Sequence, residues 1–377
     1  MAIVTVIVIV TATVVTVGNF GMNKIHTCWI TVNRACNLRC KWCYAFETGF
    51  NVSDNIDFND AKKIVDFCVE LDINRIILIG GEPTLYPFII PLIEYISNKG
   101  IKSAIVSNGI IFSDIDLLKK YIDAGLERFS ISVKGNSREE YIELTGNDCY
   151  TKVIQAINNL HSLNAIFSVS QVLTYDNIST FTKGLAAIRN AGATNFSFSF
   201  CYNFNCAEHQ NQIDIVKDNP YVLAELFKRN YDKIDKELAG CHYSLTQGLP
   251  LCVWDMSIIE KLSQKKAITS ICQLMSGGGI LFNTNLSLIP CNAMFSIEYG
   301  KFLRDFKDKE TFEQFMRSNK VNELFCKLRG VPDLECLECK KATYCGGGCV
   351  TNWTNYSFKD LQTKLKSVFE NWIQEHE

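Results

Sequence analysis

From Ile25 onward, short β-branched runs alternate with amphipathic helical stretches. The alternation predicts strands at Ile25–Val32, Arg75–Gly80, Ile101–Val106, Arg128–Val133, Ala165–Leu173 and Asn195–Phe200. Helical stretches lie between them, near Asn59–Leu71, Tyr86–Lys99, Asp114–Ala124, Tyr150–Leu163 and Ile178–Ala191. In the first of these, Ile64, Val65, Cys68 and Leu71 fall on one face. Ser113 with Asp116 reads as a capping pair, and Gly125 and Gly192 follow helix ends. Six strands with helical crossovers imply an α/β fold with a parallel sheet, either open and twisted or a partial barrel. Chemistry in such folds sits at the carboxyl ends of the strands, so a candidate site has to fall there.

After about residue 205 the rhythm stops. Residues 207–240 are polar with a helical pattern, 270–355 are rich in Cys and Gly, and Phe358–Glu377 reads as a helix. The expected division is an N-terminal extension (1–24), a core (25–205), a connecting helical region (206–269), a small metal-organised domain (270–355) and a C-terminal helix (356–377). Ala2–Val17 is an uncharged run of Val, Ile, Thr and Ala. It lacks the basic start of a signal peptide and falls short of the ~20 apolar residues of a spanning helix. Its β-branched content favours strand. An upstream extension with Met22 as the true start ranks first, an added strand second and a membrane tether last.

Composition sharpens this picture at one point. The 377 residues are 47% hydrophobic and 21% charged, as expected of a chain with a real core. A net charge of −2 with 38 scattered Lys and Arg gives no footprint for nucleic acid. Seventeen cysteines stand out. Secreted disulfide proteins are short and loop-rich, whereas this chain is long, rich in Ile and Leu, and has an odd cysteine count. Metal ligation in a reducing, cytoplasmic setting is the better reading.

Cys36-Asn-Leu-Arg-Cys40-Lys-Trp-Cys43 has the spacing C-x3-C-x2-C and directly follows the first strand. Three cysteines on one short loop suit one face of a cubane cluster, leaving one iron open to a substrate. Zinc on three cysteines is the alternative, but no His follows at finger spacing. Gly80-Gly81-Glu82-Pro83 follows the second strand, Ser107-Asn108-Gly109 the third, and Ser132-Val133-Lys134-Gly135 ends the fourth. Glycines permit close backbone approach to a ligand, and Glu82 offers a negative charge to an ammonium.

These residues resemble the radical S-adenosylmethionine superfamily, whose motif is C-x3-C-x-aromatic-C, with Trp42 at the aromatic position. The resemblance covers roughly residues 25–205 and implies a partial (β/α)6 barrel. It implies a 4Fe–4S cluster on Cys36, Cys40 and Cys43 that splits S-adenosylmethionine to a 5′-deoxyadenosyl radical. Tyr44, Gly80, Gly81, Glu82, Pro83, Ser107, Asn108 and Ser132 would bind S-adenosylmethionine. Lys134 stands where many relatives have Asp. Gln171 and Leu173 are adenine contacts or, more simply, strand packing. No general acid or base is identified.

Cys336-x2-Cys339-x5-Cys345-x3-Cys349 is a second strong metal signal, with a structural zinc knot as the alternative. With Cys272 and Cys291 it resembles the SPASM extension, a small Cys-rich domain that holds auxiliary 4Fe–4S clusters. The resemblance assigns Cys272, Cys291 and Cys349 to one cluster and Cys336, Cys339 and Cys345 to another. There are two departures. Leu286 stands where the family has Gly, and a seventh cysteine after the quartet is missing. Cys252 and Cys326 are candidate extra ligands. Cys28, Cys68, Cys149, Cys201, Cys206 and Cys241 read as buried apolar thiols.

The resemblance points to a peptide- or protein-modifying maturase that makes a thioether, a carbon–carbon crosslink or an epimer in a ribosomal peptide. An anaerobic sulfatase maturase is the runner-up. It typically has Asp as base after the second upstream cysteine, where this chain has Asn292. A non-catalytic iron–sulfur or zinc protein is the third reading. Expected partners are the peptide or protein substrate, a flavodoxin- or ferredoxin-type reductant and a separate leader-binding protein.

Overall fold

The computed structural model describes residues 24–201, 220–246, 248–269, 272, 277–328, 334–341, 345 and 347–349. The Ala2–Val17 run, Cys206, the side chain of Cys326 and the Phe358–Glu377 helix lie outside the described residues.

Six strands follow the expected rhythm: β1 (Thr27–Asn33), β2 (Arg75–Gly80), β3 (Lys102–Ser107), β4 (Arg128–Val133), β5 (Ile166–Leu173) and β6 (Asn195–Phe200). Each pairs in parallel with the next. Right-handed crossovers that always step the same way put every helix on one face, and a sheet so loaded curls into an open barrel.

Alternation along each strand separates the two faces. Ile76 and Leu78 of β2 join the main core under the helices. Ile79 turns inward to a small apolar group with Leu281 and Ile289, against which Trp29, Ile77, Val106 and Phe295 pack. The helix Phe58–Glu70 (α1) buries Ala61, Ile64, Val65, Phe67 and Cys68, with Asp57 capping it through the Asn59 and Asp60 amides.

The predicted capping pair is corrected. Asp114 caps the helix Ile115–Asp123, accepting from the amides of Asp116 at 2.9 Å and Leu117 at 3.1 Å. Ser113 ends a preceding one-turn helix and its hydroxyl donates to the Ile110 carbonyl. Gly125 and Gly192 take φ of +94° and +104° beyond their helices, as their positions imply. The β4–β5 connection also contains a helix, Arg138–Thr145, which the periodicity did not reveal because it is short and Ile142 on its exposed face blurs the apolar stripe.

The sheet also continues past residue 205. The helix Pro220–Glu237 leads into β7 (His242–Thr246), and Met256–Gln264 leads into β8 (Ile268–Thr269). Both strands extend the parallel series. They are short and mixed in polarity, so neither stands out in the sequence.

The chain then returns to the opposite edge. There β9 (Gly279–Phe282) pairs in parallel with β1, and β10 (Ser287–Leu288) and β11 (Gly300–Lys301) follow antiparallel. Gly279 is required beside Trp29, because a Cβ there would overlap the indole. Behind this edge, Phe67 of α1 meets Phe302, Phe312 and Phe306 with ring centroids 5.0, 5.4 and 5.6 Å away. The first part of the cysteine-rich segment is thus held to the core by aromatic packing. Leu286 has φ of +69°, a left-handed conformation that Gly adopts without a Cβ penalty.

Candidate functional site

A cavity of about 270 Å³ opens where the carboxyl ends of β1 to β4 meet. Cys36, Cys40 and Cys43 line it after β1, Gly80, Gly81 and Glu82 after β2, Ser107 and Asn108 after β3, and Ser132 and Lys134 after β4. Tyr44 and Asn292 complete the polar wall, and Trp29, Leu38, Ile79 and Val106 form the apolar floor. Pro83 is buried and starts a one-turn helix for which Glu82 is the N-cap, and it does not line the cavity. Trp42 is part of the apolar core.

The two glycines have a structural task that the sequence did not disclose. A Cβ at Gly80 would overlap the Asn33 side chain, and one at Gly81 would overlap the carbonyls of Arg34 and Ala35. Their absence of side chain lets the β2 loop bond directly to the base of the cysteine loop. Gly81 N–H donates to Asn33 O at 3.0 Å and Glu82 N–H to Ala35 O at 2.7 Å.

Glu82 is buried to 1% exposure. One carboxylate oxygen accepts from Ser107 Oγ at 2.8 Å, Thr84 Oγ1 at 2.7 Å and Thr84 N–H at 3.2 Å, and the other accepts from Asn108 N–H at 2.7 Å. Its charge therefore fastens the β2 and β3 loops together, in addition to facing the cavity. Burial holds its carboxyl above the usual carboxylate range despite those bonds. Asn108 Nδ2 donates onward to Asn37 Oδ1, tying in the cysteine loop. Tyr44 donates its hydroxyl to Gly80 O at 3.2 Å.

Burial pushes the Cys36 and Cys40 thiols up to about 11, and raises Cys43 as well. The ammonium of Lys134 acts in the opposite sense on all three. Such a site favours thiolates only when further positive charge is present. Among the described residues no three His, Cys, Asp or Glu side chains converge on a single metal ion. Three thiols lining one cavity suit a 4Fe–4S cluster, whose irons each take one thiolate. Asn292 Oδ1, a buried acceptor with no partner among the described residues, faces the same cavity.

Sequence reasoning passed over Arg34, although it sits two residues before Cys36. It is 1% exposed. Its Nη2 donates to Asn283 Oδ1 and its guanidinium lies 5.4 Å from the Phe295 ring centroid, so it joins the cysteine loop to the β9–β10 segment. Gln171 is buried and donates to Asn136 Oδ1 at 2.8 Å, and Leu173 is buried in the core. Both are packing residues.

The second set of cysteines divides in two. Cys291, beside Asn292, has its thiol pushed up to about 12 by burial and by neighbouring Cys349 and Cys272. Burial raises the Cys252 thiol, and Cys345, Cys336 and Cys339 add to the rise. No disulfide joins any described cysteine. Cys28, Cys68, Cys149 and Cys201 are buried as expected, but Cys241 is only half-buried.

Among the described residues no helix is long and apolar enough to cross a membrane. The chain is 21% identical to an AdoMet-dependent heme synthase of Methanosarcina barkeri over 318 residues, 83% of this chain and 87% of that protein. It is 34% identical to a GTP 3',8-cyclase of Alkaliphilus oremlandii over 144 residues, 36% of this chain and under half (43%) of the cyclase. The fold is similar to that of native anSMEcpe with bound AdoMet (TM-score 0.66, 18% identity, 93% of this chain and 98% of that one). It is also similar to Streptococcus suis SuiB bound to precursor peptide SuiA (TM-score 0.62, 15% identity, 89% and 74%). The family profile of the Radical SAM superfamily, a family that uses a 4Fe–4S cluster and S-adenosylmethionine, matches residues 30–181.

Proposed function

We propose that this chain is a radical S-adenosylmethionine enzyme that modifies a peptide or protein, with a SPASM-type extension supplying auxiliary clusters. In this reading Cys36, Cys40 and Cys43 hold the cluster, which with S-adenosylmethionine supplies hydrogen-atom abstraction at the cavity. Tyr44, Gly80, Gly81, Glu82, Ser107, Asn108 and Ser132 shape the S-adenosylmethionine pocket, Glu82 by fixing two of its loops and Lys134 by adding a cation. The apolar floor of Trp29, Leu38, Ile79 and Val106 keeps water from the reacting atoms. A flavodoxin- or ferredoxin-type protein supplies the electron.

One observation carries the substrate class. Asn292 lines the cavity and directly follows Cys291, so the second cysteine set adjoins the site of radical formation. An auxiliary cluster there is positioned to take an electron from a modified substrate or to bind its thiolate. The likeness of fold to SuiB, whose structure holds a precursor peptide, supports a peptide in that role. Formylglycine formation is disfavoured, because Asn292 cannot take up a proton at neutral pH. A second reading draws on the heme synthase relative, which aligns with most of this chain: a heme precursor in place of a peptide.

The test is anaerobic incubation of reconstituted protein with S-adenosylmethionine and dithionite. 5′-Deoxyadenosine should form. It should vanish when Cys36, Cys40 and Cys43 are all replaced by Ala, while iron persists on the later cysteines. Short peptides encoded beside the gene, a sulfatase peptide and a heme precursor then compete as substrates. Turnover of the heme precursor alone would overturn the peptide assignment.

A further inference from the structure

In the function proposed above, the quartet Cys336, Cys339, Cys345 and Cys349 lends three thiols to one centre and the fourth to another. A closed four-thiolate site on the first three therefore needs a ligand from elsewhere. The segment Gly248–Met256 lies against this region at several points. Cys349 N–H donates to Gly248 O at 2.7 Å, and Gly348 packs so closely on Gly248 and Leu249 that a Cβ would strike their backbone. Leu251 N–H, one residue before Cys252, donates to Cys345 Sγ at 3.1 Å. On the other side, Lys341 Nζ reaches Met256 Sδ at 3.2 Å, and Lys341 N–H points at Cys339 Sγ at 3.4 Å. A one-turn helix, Leu251–Val253, carries Cys252 between these anchors.

The cysteine turn is folded as a ligand loop. Cys336 sits in the one-turn helix Leu334–Leu337, Cys339 N–H bonds back to Cys336 O at 3.3 Å, and Cys345 N–H to Lys341 O at 2.9 Å. Amides directed at cysteine sulfurs are the donors that iron–sulfur ligands accept.

We propose that Cys252 is the fourth cysteine ligand of a 4Fe–4S cluster held by Cys336, Cys339 and Cys345. The ligand thus comes from the segment before β8, in place of one after the quartet. This rests on reading the later cysteines as auxiliary-cluster ligands. A cluster closed by four thiolates has no iron free for a substrate, so this centre relays electrons or holds the fold.

The experiment uses full-length protein reconstituted with iron and sulfide. Cys252 is exposed, so an unligated thiol there is open to N-ethylmaleimide, with metal-free protein as the reference for its rate. Peptide mapping should find it protected in the loaded protein, together with Cys336, Cys339 and Cys345, and alkylated after iron is chelated. Cys252→Ala should lose as much iron as Cys336→Ala, about four per chain, whereas Cys241→Ala should lose none. Labelling of Cys252 in loaded protein that still protects Cys336 would overturn the proposal, and so would zinc in place of the lost iron. Should the variants fail to fold, the labelling of wild type decides alone. Neither readout depends on S-adenosylmethionine cleavage. Protein that protects Cys252 but forms no 5′-deoxyadenosine refutes the proposed function and leaves this ligand standing.

Discussion

The Glu82 carboxylate receives the Asn108 backbone N–H at 2.7 Å, so one buried charge joins the loop after β2 to the loop after β3. Ser107 and Thr84 complete its shell. The Gly-Gly-Glu-Pro segment therefore builds the pocket as well as lining it.

Glu82→Gln replaces an acceptor oxygen with an NH2 group and leaves a buried donor without a partner, at a cost of about 1–3 kcal/mol. The cost should depend on pH. A carboxyl held above its unfolded value, near 4.3, stabilises fully below about pH 4.3 and loses that stabilisation as pH rises through the folded value. The variant cannot titrate, so its melting deficit should narrow from acid toward neutral pH. A deficit that widens over that range would reverse the assigned sign.

Gly81→Ala forces a methyl group into the Arg34 and Ala35 carbonyls. Backbone has to move, at ~1–3 kcal/mol or more. Iron bound through Cys36, Cys40 and Cys43 should fall, while iron on the later cysteines stays. Uniform retention of iron would mean that the β2 loop does not set the cysteine loop.

Lys134→Met removes the cation whose field reaches Cys36, Cys40 and Cys43. The half-buried side chain lines the cavity, and Met keeps most of its length, so the melting temperature should stay near wild type. S-Adenosylmethionine affinity of the loaded protein should weaken about tenfold, equivalent to ~1.4 kcal/mol. Equal affinity, measured by equilibrium dialysis, would remove Lys134 from the site.

Phe67→Ala empties the centre of the aromatic group formed with Phe282, Phe302, Phe306 and Phe312. The expected loss is about 3–5 kcal/mol. Hydrogen exchange should report weaker protection in both α1 and residues 279–316, because one core holds them. Loss confined to α1 would show that the two are independent.

The first six strands, the cysteine loop and its place at the strand ends were legible in the sequence, because side-chain periodicity and cysteine spacing are local properties. Arg128–Val133 and Asn195–Phe200 begin and end where the pattern puts them. What the chain does after residue 205 was decided by tertiary contact. A two-residue strand such as Ile268–Thr269 has no period of its own, and it forms because a parallel edge at β7 accepts it. The return of Gly279–Phe282 to β1 depends on the absence of a side chain beside Trp29, a relation between residues far apart in sequence. The same holds at the site. Spacing marks Cys36, Cys40 and Cys43 as a candidate ligand set, but only folding brings Asn292 to their cavity and the Leu251 amide to Cys345, since no local pattern encodes contacts made across the whole chain.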